Sequence, residues 1–425
     1  MAIIEPRVNR RTALVGAAAF AANLAMPAVL RASGKVVRVG ALLPLTGDLS
    51  PWGLPGKLGS ELWAERVNKK GGIDLHGEKY TVELVAFDSE YIAEKTLEGA
   101  RSFLEQDVKC TMIIGGDDWS ALQDFSNRNK MLTASLYVSD LNPSSNYLLA
   151  PVELHPFYLA IGLEYLVKQD PNLKTIALCA QDDLTGRSSL AYWRAGFDAY
   201  GLEMVSDEYF DNSTTDFSTV VSTMLSKKPQ AICLDTMYPP VLIQVCQELH
   251  QRGYKGRLLH AGWDLFPDIL KRTSKEFVEG AIGYFPRFDD PEIDKVTTGF
   301  EDASGFYKEY MQRHPNSWNN TSWEYAAILE VWKRGVEAAG TFDTEPLLTS
   351  MKANPPSHIF GPAKWWGKDL FGIDNALVGN WPVVEVKDGQ QTIVGLASQS
   401  EWFDQHRDIV EKRWREEELM PDQRR

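Results

Sequence analysis

Short β-branched runs alternate with longer stretches of helical period along most of this chain, and the alternation is run through twice. Residues 36–43 predict a strand that ends in Pro44-Leu45-Thr46-Gly47, and residues 54–69 a helix stopped by Gly71-Gly72. Strands at 80–88 and 111–114 follow, with helices at 93–105 and 121–129. After Pro151 the pattern restarts: strands at 174–180, 203–210, 231–234 and 258–260 are separated by helices at 188–200, 217–226 and 241–252. Strands interleaved with helices of this length mean βαβ units, parallel sheets and right-handed crossovers. Two successive runs predict an α/β protein of two similar lobes, consistent with a length beyond one ordinary domain. Helical periods return at 298–314, 322–339 and 345–353. Two apolar runs around Asp388-Gly389 then predict a hairpin, and the tail from Glu401 a charged surface helix.

The first 32 residues differ in character. Asn9-Arg10-Arg11-Thr12-Ala13-Leu14 leads into an alanine-rich apolar run over 13–30. A basic start and such a run mark an export signal, cleaved near Ala32. The adjacent arginines suggest the twin-arginine route; a Sec signal or an uncleaved anchor is the alternative. Asn23 and Pro27 interrupt the run, which barely reaches across a bilayer. The expected location is therefore the periplasm, with a mature chain that does not span the membrane.

Arg7, Arg10, Arg11 and Arg31 lie in this segment against Glu5, so the remainder is more acidic than the overall net charge of −14. That balance repels nucleic acid and anionic lipid. Cys110, Cys179, Cys233 and Cys246 show no paired spacing and read as buried free thiols, with a Cys179–Cys233 bridge between neighbouring strands left open.

Motifs that would carry chemistry are missing. HExxH, the Walker loop, the GxSxG elbow and GxGxxG do not occur. Gly53-Leu54-Pro55-Gly56-Lys57-Leu58-Gly59 lies where a phosphate cradle would, but its spacing is wrong and Pro55 lacks an amide donor. Asp289-Asp290-Pro291-Glu292 lacks the glycine of a calcium loop. The histidines have no metal-ligand spacing; His260, at a strand end, either lines a cleft or sits satisfied in the core. No catalytic residue, metal or cofactor is expected.

A family resemblance lies in collinear pieces. Val36-Val37-Arg38-Val39-Gly40 through Pro44-Leu45-Thr46-Gly47 with Trp52-Gly53, Asn68-Lys69-Lys70-Gly71-Gly72-Ile73, and Ile113-Ile114-Gly115-Gly116 come first. Asp216-Phe217-Ser218, Gly253-Tyr254, Glu279-Gly280, Tyr325-Ala326-Ala327 and Phe360-Gly361-Pro362 follow in order. From about 36 to 394 the chain resembles type I periplasmic solute-binding proteins of the branched-chain amino-acid-binding family, the receptors of ABC transporters. The resemblance implies two Rossmann-like lobes joined by a three-strand hinge, with crossovers near Pro151, Pro286 and Trp365. Lobe 1 would take residues 33–151 and 287–365, lobe 2 residues 152–286 and 366–396, and the tail 397–425. It also implies a monomeric receptor that closes on a small molecule and presents the closed form to a membrane permease.

Carried over by position, the resemblance places Trp52 against the ligand, then Asp118, Trp119 and Ser120 after the third strand. Leu136, Tyr137 and Val138 form the next loop; Thr185, Tyr238, Trp263 and Asp264 come from the second lobe. Each of these also has a plain reading as a capping, turn or rim residue. The family's small hydroxyl residues and its acidic partner for the ammonium are partly replaced here by aromatic residues, Trp263 among them. The expected ligand is thus a small polar organic solute, amino-acid-like, an amide or an aromatic acid, with a branched-chain amino acid disfavoured. A ligand sensor of the same fold feeding a signalling partner is the alternative, and a periplasmic enzyme a more distant one.

Overall fold

The computed structural model describes residues 35–182, 184–211, 213–263 and 265–423, and among these the side chains of Leu184 and Thr185 are not described. The proposed export segment, Asp264 and the Thr185 side chain therefore lie outside the described residues.

The first lobe is built from β1 (Lys35–Leu43), α1 (Ser50–Lys69), β2 (Ile73–Leu75), β3 (Glu78–Asp88), α2 (Ala93–Glu105), β4 (Val108–Met112), α3 (Asp117–Asn129), β5 (Thr133–Ala134) and β6 (Leu148–Leu149). Its sheet runs β2-β3-β1-β4-β5-β6, parallel except for the β2–β3 hairpin. Central β1 is covered on both faces, which is why Val39 to Leu43 are all buried and the strand reads as a continuous apolar run.

The second lobe follows with α4 (Leu159–Gln169), β7 (Thr175–Gln181), α5 (Leu184–Tyr200), β8 (Glu203–Phe210), α6 (Ser218–Ser226), β9 (Ala231–Leu234), α7 (Pro239–Gln251), β10 (Arg257–His260) and β11 (Ile282–Gly283). The chain then returns with α8 (Ala303–Arg313), α9 (Thr321–Ala339) and α10 (Thr344–Ala353). A two-stranded ribbon, β12 (Lys364–Trp366) with β13 (Ala376–Val378), leads back into β14 (Asn380–Lys387), β15 (Gln390–Ser398) and α11 (Gln399–Glu416). The second sheet runs β15-β14-β11-β10-β9-β7-β8, parallel from β11 to β8 and antiparallel at β14 and β15. Asp388 and Gly389 both take positive φ at the β14–β15 turn, as a two-residue hairpin requires. The expected two-lobed α/β fold with mainly parallel sheets is the one observed.

The chain passes between the lobes after β6, after β11 and between β13 and β14, and these passages share one aromatic cluster. Trp381, fully buried, stacks on Tyr158 at 5.7 Å and meets Phe285 at 5.5 Å, Phe360 at 5.2 Å and Trp323 at 6.1 Å between ring centroids. Aromatic contacts at these distances add to the burial of area and hold the floor between the lobes.

Helix α1 starts four residues before the expected 54. Pro51 is tolerated in its first turn, and the carbonyl that Pro55 cannot serve, that of Pro51, instead accepts from Asn319 Nδ2 at 2.6 Å. The glycines of this segment serve packing: a Cβ at Gly59 would collide with the Ser322 carbonyl, and one at Gly56 with the Tyr325 ring. The C-terminal α11 is charged on one face only. Trp402, Phe403, Val410 and Trp414 are buried, and Arg413 binds Asp198 of α5 at 2.7 and 2.8 Å.

All four cysteines are free and buried. Leu178 pairs with Cys233 and Cys179 with Leu234, so the two thiols point to opposite faces of the sheet and cannot bridge. Burial pushes the Cys110 thiol up to about 12. Among the described residues no helix is long and apolar enough to cross a membrane, and no cluster has the makings of a metal site.

Candidate ligand-binding cleft

The carboxyl ends of both sheets face one another across a cavity of about 730 Å3, counted out to its open mouth. Small-molecule sites in open α/β folds form at such strand ends. Leu49, Trp52, Tyr91, Ile114, Leu136 and Tyr137 make the first wall, with Asn320 and Thr321 at the start of α9. Gln181, Asp235, Thr236, Met237, His260, Ala261 and Gly262 make the second. Glu153, His155 and Tyr158 of the first passage and Phe285 of the second form the floor.

Two carboxylates, half-buried Asp88 and buried Asp140, set the loops of the first wall. Asp88 accepts from the amides of Leu45 (2.8 Å), Thr46 (3.3 Å) and Glu90 (3.0 Å) and from Thr46 Oγ1 (2.6 Å), tying the loop before α1 to the one before α2. Burial alone would raise its carboxyl, but the bonds from Thr46, Leu45 and Glu90 outweigh that and hold it below the usual carboxylate range. Asp140 accepts from the Gly116 amide at 3.0 Å and Ser135 Oγ at 2.7 Å, fixing the turns after β4 and β5. Gly115 has φ +113, and any Cβ there would strike the Asp140 carboxylate. On this frame Thr321 Oγ1 donates to the Trp52 carbonyl at 2.8 Å and seats the indole at the wall.

The second wall is strained where it meets the cavity. Thr236 takes φ +52, a left-handed conformation that costs a β-branched residue about 1–3 kcal/mol. Its amide donates to Asp235 Oδ1 at 2.8 Å, and its hydroxyl accepts from the Gln181 amide at 2.8 Å. Asp235 Oδ2 accepts from the buried Trp193 indole at 2.9 Å. Burial lowers His260 to about 4, so it is neutral; Nε2–H donates to the Met237 carbonyl at 3.2 Å and Nδ1 accepts from Gly262 N at 3.0 Å.

A polar chain crosses the floor. Tyr158 OH donates to Glu153 Oε1 at 2.7 Å, His155 Nδ1 donates to the same hydroxyl oxygen at 3.0 Å, and Ser189 Oγ donates to His155 Nε2 at 2.6 Å. Glu153 stands next to Glu324 of α9, an acid beside an acid. Burial, and then the charge of Asp235, push the Glu153 carboxyl up. Ser189 beside His155 has the composition of a nucleophile and base, but Ser189 is 0% exposed and does not line the cavity, so no solute reaches it.

Of the residues expected from sequence, Trp52, Leu136 and Tyr137 stand on the cavity wall. Trp119 turns into the lobe interior, and Asp118 is buried where Thr96 Oγ1 donates to it. Ser120 is exposed and its hydroxyl donates to the Gly116 carbonyl at 3.1 Å. Val138 is core, inside a one-turn helix at Val138–Asp140. Tyr238 lies at the mouth, where burial and then the charge of Asp48 from the opposite lobe raise its hydroxyl. Trp263 is buried, its indole donating to the Ile282 carbonyl at 3.0 Å, and it faces a second hollow behind the cleft. The floor residues Glu153, His155 and Tyr158 carried no motif. Asp235 and His260 had a usable signal, a polar residue ending an apolar strand run.

The periplasmic binding protein family model matches residues 36–391. Among solved structures, an ABC transporter substrate-binding protein from Sphaerobacter thermophilus is similar at 19% identity and TM-score 0.69, over 86% of this chain and 98% of that one. A solute-binding protein of an ABC transporter from R. palustris, solved with benzoate, matches at 16% and 0.66, over 85% and 96%. A leucine-binding protein from Thermotoga maritima matches at 18% and 0.65, over 86% and 100%. With two parallel-sheeted lobes, three passages between them and a cavity at the facing strand ends, the chain belongs to the periplasmic binding protein family.

Proposed function

We propose that this chain is the extracytoplasmic substrate-binding component of an ABC transporter, taking a small polar organic solute between its lobes and delivering it to a membrane permease. The observation that carries the reading is the cavity at the facing strand ends, walled by aromatic and hydrogen-bonding side chains from both lobes. Because both lobes contribute wall, hinge closure would bury such a solute and make occupancy visible as a change of shape. The described residues within the cavity form a binding surface in which the one nucleophile–base pair is sealed off, which supports capture without chemistry. The twin-arginine export segment belongs to the same reading: a receptor of this kind works outside the cytoplasmic membrane.

The test is a thermal-shift screen of the chain from Ser33 onward against a library of anionic, neutral and cationic solutes, after unfolding and refolding to strip bound ligand. A ligand at a hundredfold excess over Kd adds about 2.7 kcal/mol to apparent stability. A shift confined to one chemical class supports the receptor reading; a flat screen across all classes overturns it.

A further inference from the structure

We infer that the cleft selects ligands carrying a cationic, N–H-bearing group, an ammonium or amidinium, which it receives on Glu153 and Asp235 while excluding carboxylate anions. The inference rests on the receptor reading and narrows it to a ligand class. The acidic groups on the cavity wall are Glu153 and Asp235, and none of the described lining residues is Lys or Arg. The two lining histidines offer no positive charge in their observed bonding: both ring nitrogens of His260 and of His155 are engaged, each with one donor and one acceptor role.

Helix N-termini also bring positive potential to the cavity, that of α1 at Leu49 and Trp52 and that of α9 at Asn320 and Thr321. The α9 terminus is already answered. Glu324 stands in its first turn, and Asn320 Nδ2 donates to Glu324 Oε2 at 3.0 Å. Glu324 also meets Glu153 from behind, so the floor holds an acid pair with Asp235 across from it. A ligand carboxylate brought here would add a like charge in a poorly solvated space, where such repulsion is strong. An ammonium or amidinium gains the same interactions with the opposite sign. Asp235 has two protein donors and Glu153 the Tyr158 hydroxyl, which leaves lone pairs on each for a ligand N–H. Trp52, Tyr91 and Tyr137 complete the pattern, since aromatic faces attract a cation and its apolar body alike.

Three nearly isosteric probes separate the charge from the shape: benzamidine, benzamide and benzoate, titrated calorimetrically into the refolded protein at neutral pH. Benzamidine should bind at least about tenfold tighter than benzoate, with benzamide between them. Glu153→Gln, which keeps the volume, should cut benzamidine affinity about tenfold and leave benzamide within about threefold. The wild-type ranking needs no folded variant, so a variant that fails to fold leaves the test intact. Benzoate binding as tightly as benzamidine, or library hits confined to anions or uncharged solutes, overturns the inference while the receptor reading stands. Binding by no probe and by no class in the library overturns both.

Discussion

Two hollows lie back to back between the lobes, sharing Phe285 and Asn320 as a common wall, and their charges are arranged in opposite ways. The front one is the cleft, with Glu153 and Asp235 buried and no Lys or Arg among its described residues. The rear one, of about 960 Å3 to its open mouth, has Trp263, Phe266, Tyr307, Trp318 and Trp323 on its walls and both signs of charge at its rim. Lys271 pairs with Asp268 at 2.8 Å and Arg287 with Asp289 at 2.8 Å, all of them in contact with water. Size and aromatic content therefore do not distinguish a binding site from a packing defect here. What distinguishes them is that the rear charges are neutralised by each other, whereas the front acids are met by a hydroxyl, an indole and an amide, none of them a cation.

The largest effect expected from this contrast separates two tryptophans. Trp323, on the rear wall, is 0% exposed and meets Phe288 at 4.9 Å as well as the hinge ring of Trp381. Trp323→Ala should cost about 3–5 kcal/mol in urea unfolding. Trp52, half-buried on the front wall, should lose ligand affinity on replacement by Ala while stability falls by less than about 1.5 kcal/mol. Equal destabilisation by the two substitutions would break the assignment of the front hollow as the working one.

A medium effect compares a buried acid that a solute can reach with one that it cannot. Asp118 is locked inside lobe 1, and burial, with Asp117 adding, raises it to about 7 against the bonds from Thr96 and Ser89. A folded-state value above the unfolded one means stability that is present at low pH and lost as pH rises through about 7. Asp118→Asn should remove that loss, lifting the melting temperature at pH 8 by on the order of 2–4 °C relative to the parent while changing little at pH 4. Glu153 is raised in the same direction, so a residual decline should survive in the variant. Saturating ligand should flatten that residue of the decline in Asp118→Asn, because it meets Glu153 and never Asp118. A decline in Asp118→Asn as steep as the parent's would show that the interior carboxyl is not what titrates.

The same contrast explains how far the sequence could be read. Strand and helix existence followed from periodicity, because a central strand such as β1 must be apolar throughout and an amphipathic helix must repeat on one face. The observed α1 starts before the expected 54 because Pro51 fits its first turn, and the carbonyl that Pro55 leaves unserved is met by the Asn319 side chain, far off in sequence. The strand-end loops singled out from sequence border the cavity in part, and which residue faces it is a matter of a single backbone turn. Leu136 and Tyr137 face it, and Val138 enters a one-turn helix that carries it into the core. Trp119 follows Asp117 into α3, and the helical rotation takes it away from the cleft. The floor is harder still: Glu153 and His155 lie in the irregular first passage, with no period to follow, and they acquire meaning only beside Glu324 and Ser189 from distant helices.

The smallest expected effect sharpens the comparison from the rear side. Lys271 has a side chain 74% exposed, and its Asp268 partner is three residues away on the short helix Phe266–Arg272. In high dielectric such a pair gains little beyond the side-chain entropy it must give up. Lys271→Ala should therefore shift stability by no more than about 0.5 kcal/mol and leave solute affinity within about twofold. Calorimetric titration and urea unfolding of that one variant check both. If its affinity for the probe solutes fell tenfold, the rear rim would be contributing to recognition, and the two hollows would have to be treated as one continuous site whose charge is mixed. If it does not, the neutral balance at the rear is only surface chemistry, and the uncompensated acids at the front remain the feature that a ligand has to answer.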